Sequence, residues 1–97
     1  MNITKLIKYI KKSNQELSFQ YPKGLKVTMS VNSVYEVDRL QVCVTSPNYE
    51  GVTPMSILTP STTIKQLAYR VRELCHRVDD RCGVTSNDTL ELIEMVY

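Results

Sequence analysis

The chain has 97 residues, 42% hydrophobic and 23% charged, with three glycines and four prolines, which fits one globular domain over 1–97 and excludes a disordered or collagen-like segment. A domain of this length buries roughly two-thirds of its unfolded surface, enough to fold without cross-links. Its net charge of +2 excludes a nucleic-acid mimic, which needs a strongly negative surface.

The first predicted element is a helix. Ile3, Leu6, Ile7 and Ile10 fall at i, i+3, i+4 and i+7, with the lysines off that stripe and Ser13-Asn14 as the stop. The period then changes to two. Leu17, Phe19 and Tyr21 alternate with polar residues, and Leu25, Val27, Met29 and Val31 do so again after Pro22-Lys23-Gly24, which predicts a β-hairpin. A looser piece, NSVYEVDR, leads to a third strand carrying Leu40, Val42 and Val44. The stretch SPNYEGVTPMSILTP holds three of the four prolines and predicts two turns with a short edge strand at Met55–Leu58.

A second helix follows. Ile64, Leu67, Ala68, Val71, Leu74, Cys75, Val78 and Cys82 fall within one arc of roughly 120°, Ser61 or Thr63 caps the start, the latter with Gln66 as capping-box partner, and Gly83 closes the end. In the tail, Glu91, Ile93, Met95 and Tyr97 alternate and predict a C-terminal strand, with a short helix as the alternative because Asp88 and Glu91 can cap one. The expected fold class is therefore α+β: a two-layer sandwich with an N-terminal helix, an antiparallel sheet of three to four strands, a second long helix and a C-terminal strand or short helix. The first five elements are similar in order to double-stranded RNA-binding domains. That family's basic cluster at the start of the second helix is missing, since TPSTTIKQLA supplies only Lys65, and no family is assigned.

The segment TTIKQLAYRVRELCHRVDDRCG holds the only histidine and two of the three cysteines. Neighbouring helical residues diverge by about 100°, so Cys75 and His76 cannot chelate one ion. In a continuous helix Cys75 and Cys82 share the apolar face about 10.5 Å apart, which is too far for a disulfide. They are expected to be core fillers, with no metal, no cofactor and no catalytic residue, and the chain is expected not to be an enzyme. An odd cysteine count forms no disulfide framework. Lysines interrupt every apolar run of MNITKLIKYIKK, so neither a signal peptide nor a membrane span is expected, and the cytoplasm is the expected location.

Binding is the expected mode of action. Tyr49, flanked by Asn48 and Glu50 in the proline-punctuated loop, offers area and a hydrogen bond at low entropic cost. Arg70 and Arg77 offer a basic side on the second helix. These five residues are the candidate protein-interaction site of a small adaptor or inhibitor, of the kind found among phage and mobile-element accessory proteins. The partner is another protein, and a homodimer through an exposed edge strand is compatible with this. The alternative is a nucleic-acid-binding domain using Lys5, Lys8, Lys11, Lys12, Lys23 and Lys26, six lysines set against the single acid Glu16 in residues 1–30.

Overall fold

The computed structural model describes residues 2–96. In chain order they form α1 (Thr4–Ser13), β1 (Leu17–Gln20), β2 (Lys26–Val34), β3 (Val37–Thr45), β4 (Met55–Leu58), α2 (Ile64–Val78) and α3 (Ser86–Val96). The strands make one antiparallel sheet in sequence order, β1-β2-β3-β4. Helices pack on one face of it, the α+β arrangement that the two periodicities predict.

In α1 the stripe residues Leu6, Ile7 and Ile10 are buried. Asn14 stops the helix in the left-handed region at φ 54°, its N–H bonded to the Ile10 carbonyl; asparagine tolerates that region better than most side chains. The first hairpin pairs Phe19 with Val27. Its connection is a single 3-10 turn over Pro22–Gly24, in which Gly24 takes φ 76° and Tyr21 donates its N–H to the Leu25 carbonyl at 2.8 Å.

The piece expected to be loose is instead the tightest turn in the sheet. β2 and β3 pair without interruption from Lys26–Thr45 to Val34–Val37, so two residues, Tyr35 and Glu36, make the whole reversal. Both have positive φ, 53° and 63°, as the two-residue turns that match strand twist require. The sequence hides this because tyrosine and glutamate are poor choices for that conformation, where asparagine and glycine are the usual residues.

Alternation along the strands fixes the core. Val27 and Met29 of β2 and Leu40, Val42 and Val44 of β3 are fully buried, against Leu6 of α1 and Leu67, Val71 and Leu74 of α2; each such side chain contributes about 1.5–3 kcal/mol by leaving water. The capping box at the start of α2 is present: Gln66 N–H reaches Thr63 Oγ1 at 3.1 Å, and Thr63 N–H reaches Gln66 Oε1 at 2.9 Å.

The end of α2 departs from expectation. The helix stops at Val78, four residues before Cys82. Asp79 is extended, and its carboxylate accepts the Arg81 N–H at 3.0 Å while its carbonyl accepts the Cys82 N–H at 3.1 Å. Aspartate is disfavoured at a helix C-terminus, where the dipole is negative, and readily closes a local turn with its own side chain. Cys82 therefore enters the core from this turn and not from the helix, and the spacing of a continuous helix does not describe the two thiols. Gly83, at φ 72°, lies beyond the turn.

The tail is the helix α3 and not a strand. Thr85 and Asp88 cap it reciprocally, with Thr85 N–H to Asp88 Oδ2 at 2.8 Å and Asp88 N–H to Thr85 Oγ1 at 3.4 Å. Burial follows the helical period: Thr89 and Ile93 are inside, while Glu91 and Met95 face solvent. The apparent alternation was a coincidence of spacing; its last member, Tyr97, lies outside the described residues. Among the described residues no helix is long and apolar enough to cross a membrane.

A candidate interaction surface at the β4 edge

The residues with chemical potential are occupied by structure. Cys75 is fully buried, and burial first, then the nearby Cys82, pushes its thiol up to about 12. His76 places Nε2 3.1 Å from the Val84 carbonyl; a carbonyl can only accept, so that nitrogen donates, and the ring fastens the segment after α2. Cys43 lies half-buried on the sheet face away from the helices. Its thiol is raised by burial, then by the charge of Glu16, with Lys26 opposing. Among the described residues no group of three or more His, Cys, Asp or Glu stands close enough to hold a metal ion.

The residues expected to bind a protein are dispersed. Tyr49 is half-buried and turned back on its own loop, its N–H bonded to the Ser46 carbonyl at 3.1 Å. A Cβ on Gly51 would stand 2.6 Å from Tyr49 Oη, so the loop needs glycine there for the ring to lie down. Asn48 and Glu50 beside it are exposed. Arg70 and Arg77 are exposed on α2 seven residues apart, and so on nearly the same side.

The six lysines do not form one site, although Lys5, Lys8 and Lys12, at i, i+3 and i+7, share one exposed face of α1. Lys11 pairs with Asp38 at 2.8 Å and holds that carboxyl below its usual range, with help from Ser33. Lys23 is bonded to the Arg81 carbonyl, and Lys26, next to Val27 of the core face, turns to the opposite side of the sheet from α1.

The surface that does assemble surrounds β4, and Arg70 is the single expected residue on it. Val44 donates its N–H to the Pro54 carbonyl at 3.2 Å, which sets the phase of the β3–β4 ladder. Ser56 and Leu58 then direct their backbone groups to β3, and Met55 and Ile57 direct theirs outward with no strand beyond. Both side chains are about half exposed on the open sheet face.

On the other side of the edge runs a shallow groove of about 450 Å³, lined by Leu58 and Thr62 and by Lys65, Gln66, Tyr69, Arg70 and Glu73 of α2. No β3 residue lines it, so it opens on the free side of β4. Tyr69 is 54% exposed over it. Unsatisfied backbone groups are thus flanked by apolar side chains on one face and by a mixed apolar and basic groove on the other. Sequence spacing identified the edge strand but could not place Tyr69 beside Leu58, because sheet order and the return of α2 bring them together.

No family model, no curated protein and no solved structure matches the chain.

Proposed function

We propose that the chain is a small non-enzymatic protein-interaction module of the cytoplasm, acting as an adaptor or inhibitor by docking on a partner protein. The observation that carries this reading is the concentration of half-exposed Met55, Ile57 and Tyr69 around one unpaired strand edge. Clustered exposed apolar groups next to free backbone donors and acceptors are the ordinary marks of a binding surface. The three free thiols support an intracellular setting. The lysine reading is weaker on placement, since Lys11 and Lys23 are engaged within the protein and Lys26 lies away from α1.

Two assays on the purified protein separate these readings. Affinity capture from the native host with wild type and with an Ile57→Asp/Tyr69→Ala variant is expected to retain a protein in the first case and lose it in the second. Binding to DNA and RNA at low and high salt is expected to be absent. Nucleic-acid binding that falls steeply with salt and disappears in a Lys5→Glu/Lys8→Glu/Lys12→Glu variant overturns the proposal.

A further inference from the structure

We infer that the partner is an extended peptide segment that adds a fifth strand to the sheet at β4 and carries an acidic residue into the groove of α2; this rests on the docking reading above. Met55 and Ile57 offer two outward N–H groups and two outward carbonyls in the spacing that a fifth strand requires. A strand added there has alternate side chains on opposite faces. One set lies beside Met55 and Ile57 on the open face, where apolar neighbours are favoured. The other set enters the groove against Leu58 and Tyr69, within reach of Lys65 and Arg70.

The groove holds two bases against one acid, Glu73, and the positive end of the α2 dipole lies at its Thr62–Lys65 end. An acidic side chain is therefore the favoured occupant. The recognition pattern is a pair of apolar residues two apart, with Asp or Glu an odd number of positions from them. A second copy of the chain fits less well. Its own edge segment, TPMSILTP, carries no charge, and pairing two β4 strands sets two net-positive grooves side by side.

The test uses a random dodecapeptide phage library selected on the full chain. Wild type is expected to enrich clones with that alternation and an acidic residue. Ile57→Pro removes one outward N–H, a change that edge strands tolerate, and is expected to weaken those clones by about tenfold or more. Lys65→Glu/Arg70→Glu alters only exposed side chains and is expected to reject them and to enrich basic clones instead.

Clones that bind Ile57→Pro as tightly as wild type overturn the edge site but leave the docking reading standing. Absence of any enriched clone, or an enriched set without acidic residues, also overturns the proposal; host capture then decides the docking reading by itself. A dimer in sedimentation velocity that is lost on Ile57→Pro overturns it in favour of a second copy.

Discussion

At the β1 edge of the sheet, Ser18 and Gln20 hold the outward-facing backbone positions, and the chain runs on into Tyr21, whose hydroxyl meets Thr89 of α3 at 2.7 Å. At the β4 edge the equivalent positions belong to Met55 and Ile57. The groove beside them, about 450 Å³, is larger than the one of about 250 Å³ that Gln20 and Tyr21 form with Asp88 and Met95 of α3. The two edges share backbone geometry and differ in what surrounds it. One is polar on its open face and anchored at its end to α3; the other is apolar on its open face. Edge strands are ordinarily blunted by polar residues, shortness or proline. β4 keeps the shortness and the flanking Pro54 and Pro60 but not the polar side chains, and that departure is what the proposed docking role would account for.

The two edges differ most in energy at Tyr21. Tyr21→Ala opens a cavity and leaves the buried Thr89 hydroxyl without its partner, so urea unfolding is expected to show a loss of about 3–5 kcal/mol. Ile57→Ala, at a half-exposed position, is expected to cost less than about 1 kcal/mol. Similar losses at both sites would show that the edges are not energetically distinct.

Alkaline pH acts most strongly on the anchored side. Burial raises the Tyr21 hydroxyl from 10.0 to about 12 and the Cys75 thiol from 9.0 to about 12. The unfolded chain therefore ionises first, and stability is lost as pH rises. Urea midpoints are expected to stay level from neutral pH to about 9 and to fall progressively towards about 12 as the two groups ionise in the unfolded chain. Cys75→Ala reduces the earlier part of that fall, and Cys43, whose thiol burial also raises, supplies the rest.

The hairpin tip is a control that touches neither edge. Glu36→Gly relieves a left-handed side chain and is expected to raise stability by about 1 kcal/mol while leaving peptide selection at β4 unchanged. The smallest effect is read by amide exchange. The outward N–H groups of Ser18, Gln20, Met55 and Ile57 are expected to exchange quickly in the free protein, and those of Met55 and Ile57 alone to slow when a selected peptide is bound.

Legibility followed the range of the signal. α1, the first hairpin and the start of α2 were readable because period and capping are local: Ile3 to Ile10, Phe19 against Val27, Thr63 with Gln66. The Tyr35-Glu36 turn was not, because its residues contradict its backbone and the strands around it impose the conformation. The tail misled because Glu91, Ile93 and Met95 also satisfy an alternating pattern, and the deciding contact is Thr85 with Asp88. The proposed docking surface was legible only in part. Met55–Leu58 announced itself through its flanking prolines, whereas the groove needs Leu58 and Tyr69 together, a meeting set by sheet order and not by spacing. Tyr49 is a loop aromatic in the sequence, yet its ring rests over Gly51.

The uneven burial of the three thiols has a practical consequence. Cys43, half-exposed on the sheet face away from the helices, will take a fluorophore without disturbing the interior, directly opposite Met55. Cys75 and Cys82 are sealed inside, so an alkylating reagent can reach them only when the interior parts. The speed of their modification becomes a clock for that opening, kept by the same molecule that carries the lamp.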